Sequence, residues 1–258
     1  MLKPFLSRLV RATPLRWYLP NKVTRMQLIQ HAIDTLSART YLEIGVDEGQ
    51  TFSIVRAPIK VGVDPIAPRP AVVIEITRPG STYFATTSDE FFERHAPQVL
   101  ASGVDVVFID GLHTYGQTYR DVQNALRLLN PGGVILVHDC LPASAAEARV
   151  APTYDEAWRL NGPDWSGLWT SDGWKAIVAV RSGHQPGQAC VLNCDHGVGV
   201  VHNGGGPAPL ALTLPEIDAL EYDTLAAAPE KLLGLTLPAQ FRTILDRLRH
   251  DRTALRAH

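Results

Sequence analysis

The amino-acid sequence predicts an α/β protein built on a doubly wound, largely parallel sheet with helices on both faces. Short valine- and isoleucine-rich runs recur without polar alternation, as strands covered on both sides do. Segments of helical period separate them. Glycine or acidic residues stand where several of these runs end, and that is the edge where such sheets collect ligands.

The elements follow in order. Thr24–Leu36 carries Met26, Ile29, Ile33 and Leu36 at helical spacing and reads as a helix leading into the core. Strand-like runs come next at Thr40–Ile44, Lys60–Val63, Tyr83–Ala85, Val104–Ile109 and Val134–Val137. Between the last two, Tyr115, Tyr119, Val122, Leu126 and Leu129 recur at steps of three and four, so Tyr115–Leu129 is expected to be helical. Asn130-Pro131-Gly132-Gly133 supplies the turn chemistry that stops it. Leu141–Gly173 is rich in Pro, Gly and Trp, with one short helical stretch near Tyr154–Leu160. Two further strands are expected at Trp174–Arg181 and Gly197–His202, with a short run through Cys190 between them. That succession predicts one sheet with its last strand reversed. After Asn203 a Gly-Gly-Gly-Pro run leads to helical segments at Leu214–Leu225 and Pro238–Arg249. The chain therefore divides into an arm (1–23), a central domain (24–203) and a C-terminal helical extension packed on it (204–258).

Composition narrows the class. The 258 residues are 45% hydrophobic and 19% charged, as in a soluble globular protein. A formal net charge of −2 provides no global field for nucleic acid or an anionic membrane. Cys140, Cys190 and Cys194 are too few and too irregular for a disulfide framework, so reduced thiols in a cytoplasmic protein are expected. No apolar run approaches the roughly 20 residues of a membrane span. Met1–Arg16 mixes Leu, Phe and Val with basic residues, is broken by Pro4 and Pro14, and lacks a secretory h-region.

Chemistry concentrates at the strand ends. The first strand runs into Glu43-Ile44-Gly45-Val46-Asp47-Glu48-Gly49, where glycine lets the backbone turn tightly and approach a ligand. No third glycine completes a dinucleotide fingerprint, and the acidic loop suits a cationic ligand better than a pyrophosphate. Asp64 closes the second strand about twenty residues on, where nucleoside-binding α/β folds place a ribose-binding carboxylate. The fourth strand passes directly into Asp110-Gly111-Leu112-His113-Thr114-Tyr115, and the fifth into His138-Asp139-Cys140. Four ionisable groups, Asp110, His113, His138 and Asp139, at two adjacent strand ends predict one cleft.

Glu43-Ile44-Gly45-x-x-x-Gly49, Val63-Asp64, Phe108–Tyr115 and the Pro131-Gly132-Gly133 to His138-Asp139 run together resemble class I S-adenosylmethionine-dependent methyltransferases. The likeness is to the small-molecule branch related to catechol-type and antibiotic-tailoring O-methyltransferases, and it covers roughly residues 25–203. It implies a Rossmann-like, seven-stranded sheet ending in an antiparallel hairpin. It also implies that Glu43, Gly45 and Gly49 shape the methionine and ribose part of an S-adenosyl-L-methionine site and that Asp64 holds the ribose hydroxyls. Thr87, Ser88 and Asp89 would lie beside the adenine. Asp110 corresponds to a strand-four acid that binds a divalent cation in related enzymes, with His138 and Asp139 near the other ligand positions. Those enzymes commonly show Asp-Asp or Asp-Asn where this chain has His138-Asp139, which moves any metal preference from Mg²⁺ toward a transition metal.

These residues predict methyl transfer to a hydroxyl of a sugar or natural product. His113 or His138 acts as general base, and Asp110 and Asp139 orient it or hold a metal. Tyr154, Trp158, Trp165, Trp169 and Trp174 are expected to cover the acceptor pocket, and Lys175 to start the sixth strand, exposed or facing an acidic substrate. Two other classes share the pattern: a noncatalytic donor- or metal-binding partner protein, and a nicotinamide-dependent oxidoreductase, which the first loop's glycine spacing disfavours. Leu232, Leu233, Phe241, Ile244, Leu245 and Leu248 mark the C-terminal helices for packing onto the domain or for a homo-oligomer contact.

Overall fold

The computed structural model describes residues 22–163, 165–204 and 208–256. The basic leader Met1–Arg16 and most of the Gly-Gly-Gly-Pro run lie outside these residues. In chain order the first half comprises α1 (Arg25–Leu36), β1 (Thr40–Ile44), β2 (Ile59–Asp64), α2 (Pro70–Ile76) and β3 (Ser81–Ala85). Next come α3 (Ser88–Glu90), a π-helical turn (Phe91–His95), α4 (Ala96–Val99), β4 (Val104–Ile109), α5 (Tyr115–Leu128) and β5 (Leu129–Val137). The remainder is α6 (Tyr154–Asn161), α7 (Lys175–Arg181), β6 (Gln188–Leu192), β7 (Val198–His202), α8 (Leu214–Asp218), α9 (Tyr222–Ala227), α10 (Pro229–Leu233) and α11 (Gln240–Arg256).

The seven strands form one sheet in the order β3-β2-β1-β4-β5-β7-β6. All neighbours are parallel except β7, which runs antiparallel to both β5 and β6. The order reverses between β1 and β4, so the carboxyl ends of these strands flank the switch-point crevice. β1 and β4 are buried along their whole length, which explains their continuous apolar runs. One core cluster lies on each face: Ile44, Val63, Ile109, Val137 and Trp174 belong to one, and Ile29, Phe52, Phe108, Leu136 and Phe241 to the other.

Three sequence expectations change. Trp174–Arg181 is not a strand: Lys175–Arg181 is helix α7, and the sixth strand is the Gln188–Leu192 run through Cys190. Lys175 through Val180 are all buried, so α7 has no polar face to betray a helical period. Lys175 is accordingly neither exposed nor on a strand; its Nζ donates to Asp218 O at 2.8 Å and lies 3.3 Å from Asp172. β5 begins at Leu129 rather than Val134, because Leu129 pairs with Val104 before the register shifts between Val104 and Val106.

Two buried ionic knots hold the frame. Lys60 Nζ lies 2.6 Å from Glu75 and donates to Val55 O at 2.7 Å and to Phe52 O, tying the segment after β1 to α2. On the central strand β4, Asp105 accepts from Arg39 N, Thr40 N and Asn130, and from Arg252 of α11 at 2.6 Å. That last bond, with buried Phe241, Leu245 and Leu248, packs α11 against α1 and β5. No helix among the described residues is long and apolar enough to cross a membrane.

Candidate active site

A cavity of about 790 Å³ opens over the carboxyl ends of β1, β2, β4 and β5. Its lining includes Glu43, Gly45, Asp64, Ser88, Asp89, Asp110, His113, His138 and Asp139, so the folded chain brings these expected residues together. Gly49 is not in the lining.

Gly45 is required by the sheet itself. Its φ is +84°, and a Cβ there would stand 2.1 Å from Asp110 O. The β1 loop thus lies directly on the end of β4, with Gly45 N donating to Val63 O and Asp110 N to Ile44 O. A Cβ on Gly49, also at positive φ, would meet Val72 of α2 at 2.5 Å. Asp64 accepts from Asp47 N and from Ile66 N, both at 2.9 Å, one on each carboxylate oxygen. Each oxygen keeps a lone pair facing further donors. Glu43 is fully buried and accepts from Tyr41 Oη at 2.5 Å; burial pushes its carboxyl up to about 8. Beyond β3, Gln117 Nε2 donates to Ser88 Oγ, Asp89 and Asp121, while Arg120 grips Asp89 from outside. Burial raises the Asp121 carboxyl to about 6.

The β4 and β5 ends build the second half of the cavity. His138 is buried with Nδ1 3.1 Å from Asp110 and 3.2 Å from Asp139. Burial opposes its charge, yet the two carboxylates outweigh burial and hold the imidazole well above the usual histidine range. Asp110, half-buried, is held below the usual carboxylate range because His138, His113 and Arg25 overcome its desolvation. His113 stands further out: its Nε2 is 3.6 Å from Asp139 and 3.9 Å from Asp110, and its ring meets Trp169 edge-on at 5.9 Å. Among the described residues, Asp110, His113 and Asp139 form the one group whose ligand atoms lie within 4.8 Å of one another. His138, which the sequence places with Asp110 and Asp139 as a ligand, has its Nδ1 within hydrogen-bond reach of both carboxylates.

Sequence reasoning missed three contributors. Arg25, at the start of α1, donates its backbone N–H to Asp195 at 2.6 Å and extends its guanidinium into the cavity. Asp195 and His196 come from the turn before β7. Asp195 lies 3.9 Å from His138 Nε2, and despite burial, His138 and Arg25 hold its carboxyl at about 2. The available signal was Asp195-His196-Gly197 directly before a strand, the same pattern of ionisable groups at a strand end. Asp47, His113, Asp139, Asp195 and His196 all adopt positive φ. Non-glycine residues in that region carry backbone strain, and such residues gather at functional sites.

The segment between β5 and α7 forms the outer wall. Tyr154 rings contact Trp158, Trp165 and Trp169 at centroid distances of 5.7–6.4 Å, and Tyr154 and Trp169 face the cavity. Trp169 is oriented by donating to Arg149 O at 2.8 Å. Trp174 departs from this group: it is buried in the core.

Residues 42–140 match the family model of a methyltransferase domain. No curated protein matches the chain significantly. Solved structures with a similar fold include a Staphylococcus aureus protein provisionally assigned as a caffeoyl-CoA O-methyltransferase (TM-score 0.51, 15% identity, 78% of this chain and 99% of that one). TomG, the O-methyltransferase from Streptomyces achromogenes involved in tomaymycin synthesis and solved with S-adenosylmethionine, aligns with TM-score 0.50 and 14% identity over 77% of this chain and 90% of its own. A Klebsiella pneumoniae protein provisionally assigned as an O-methyltransferase gives 0.50 and 15% over 78% and 92%. At these identities the likeness establishes the fold. Residues 42–140 are thus similar to a methyltransferase domain, and the chain folds as a seven-stranded, Rossmann-like sheet.

Proposed function

We propose that this methyltransferase-domain chain is an S-adenosylmethionine-dependent O-methyltransferase that modifies a hydroxyl of a small-molecule acceptor, a sugar or other natural product. The observation that carries the reading is the continuity of one cavity from Asp64 and Ser88 on one side to Asp110, His113 and Asp139 on the other. The first half suits a nucleoside: Asp64 for the ribose hydroxyls, Ser88, Asp89 and Asp121 for the adenine, and the Gly45 loop for the methionine end. The second half suits an acceptor hydroxyl, with a proton acceptor beside it and aromatic rings above.

The sulfonium donor is already activated, so the protein's tasks are alignment and proton removal. Alignment in a well-held near-attack geometry lowers a barrier by as much as roughly 7–11 kcal/mol. His113 is the general base in this reading. It is the more exposed of the two histidines, whereas His138 has Nδ1 engaged by two carboxylates and a side chain only 6% exposed. His138 then acts as a fixed counter-charge that positions Asp110 and Asp139. Tyr154 and Trp169 offer ring faces for a sugar or aromatic acceptor.

A second reading is favoured by the close grouping of Asp110, His113 and Asp139, whose mixed oxygen and nitrogen donors fit a divalent transition metal better than Mg²⁺. When bound, such an ion supplies Lewis acidity that lowers the pKa of an acceptor hydroxyl. His113 would then be a ligand and not the base. Elemental analysis of protein purified without chelators separates the two readings: about one metal per chain, lost in Asp139→Ala, establishes the second. For the first, His113→Ala should slow single-turnover methyl transfer by roughly 10²–10⁴-fold with S-adenosylhomocysteine affinity unchanged. A fully active variant would end the base assignment.

A further inference from the structure

We infer that Arg25 is the cation that receives the α-carboxylate of the methyl donor, with Thr51 Oγ1 as its companion. The assignment rests on the donor reading above and extends it to a residue outside the sequence motifs. Among the described residues lining the cavity, eight are aspartates or glutamates, and Arg25 is the sole lysine or arginine. The proposed donor carries one anionic group, its carboxylate, beside an ammonium and a sulfonium. The cavity thus offers one permanent cation for one anion.

Topology puts Arg25 at the correct end. With the ribose at Asp64 on β2 and the adenine beside Ser88 after β3, the sheet order β3-β2-β1-β4 sends the methionine end toward the junction of β1 and β4. Arg25 stands there: Nε is 3.4 Å from Thr51 Oγ1 and 3.8 Å from Asp110, and Nη1 is 3.6 Å from Asp195. These contacts with described side chains are long, and none is a bidentate carboxylate pair, the geometry in which a guanidinium binds an anion most strongly. The side chain is 22% exposed and borders the cavity, so its donors remain within reach of a ligand. Its backbone N–H is fixed to Asp195 at 2.6 Å, which anchors the side chain's root without consuming the fork.

The test compares two probes that differ in this one group, S-adenosylmethionine and decarboxylated S-adenosylmethionine, by calorimetry on the wild-type chain, Arg25→Ala, Arg25→Gln and Arg25→Lys. The wild type should favour the carboxylated form by at least tenfold. Ala and Gln should reduce that preference to less than threefold while leaving affinity for the decarboxylated form within threefold of wild type, and Lys should restore part of it. Thermal unfolding of each variant identifies any that fails to fold, and the Gln and Lys variants retain the side chain's bulk. Equal losses for both probes, or an unchanged preference, overturn the role of Arg25 while leaving the donor reading intact. Failure of the folded wild type to bind either probe overturns the donor reading and this assignment with it.

Discussion

Asp121→Asn should make the protein more stable at neutral and alkaline pH. Asp121 is buried, receives one hydrogen bond from Gln117 at 3.1 Å, and has its carboxyl raised from an ordinary 3.8 to about 6. Burial is the main cause, with the Ser88 and Gln117 hydrogen bonds opposing it. A carboxylate whose folded pKa exceeds its unfolded one penalises the folded state wherever it must ionise. The penalty is absent below about pH 4, grows between pH 4 and 6, and is complete above. At about 1.4 kcal/mol per unit, a rise of roughly 2 units corresponds to about 3 kcal/mol as an upper value. Asparagine keeps the oxygen that Gln117 addresses and removes the charge. Urea unfolding at pH 8 should therefore show a gain of about 1–3 kcal/mol, or roughly 2–12 °C in Tm for a domain of this size. The gain should be about half as large at pH 5. A variant that is no more stable at pH 8, or whose gain does not shrink toward acid, would refute the reasoning and show that Asp121 is adequately solvated by its donors.

Three further outcomes are expected. Gly45→Ala should cost several kcal/mol in urea unfolding or prevent soluble folding, since both its φ of +84° and the 2.1 Å approach of Asp110 O oppose a side chain. Asp64→Ala should weaken S-adenosylhomocysteine binding by roughly 10–100-fold in calorimetry, the scale of losing one or two hydrogen bonds to a charged group; unchanged affinity would remove the ribose from this carboxylate. Lys60→Met should cost as much as about 3–5 kcal/mol by removing the buried partner of Glu75 and leaving it only the exposed Arg78 at 2.8 Å, and adding Glu75→Leu should recover much of it. A double variant no better than the single would show that the carbonyls of Phe52 and Val55, not the ion pair, depend on Lys60.

The sheet was legible in the chain wherever strands are buried on both faces and end in a turn or a charge. Thr40–Ile44 and Val104–Ile109 have the expected boundaries, and the ionisable ends of β1, β2, β4 and β5 line one cavity. Trp174–Arg181 was illegible for a related reason: a short helix buried on every side presents the same unbroken apolar run as a central strand. The site was half legible. Asp64, Asp110, His113, His138 and Asp139 announce themselves because polar groups interrupt apolar strands there. Arg25 and Asp195 do not, because one opens an ordinary amphipathic helix and the other sits in a turn, and only the tertiary fold sets them 3.6 Å apart. Which histidine faces the opening is likewise a matter of the positive φ at His113 and Asp139, a backbone property with no sequence period.

The turn carrying Asp195 belongs to the β6–β7 hairpin, and it closes on His138 from one side while Arg25 reaches it from the first described helix. A nascent chain that has already laid down β1, β2, β4 and β5 would still lack the third carboxylate about that imidazole. The hairpin turn thus completes the crevice with a carboxylate 170 residues along the chain from Arg25, joining segments far apart in sequence across one cavity.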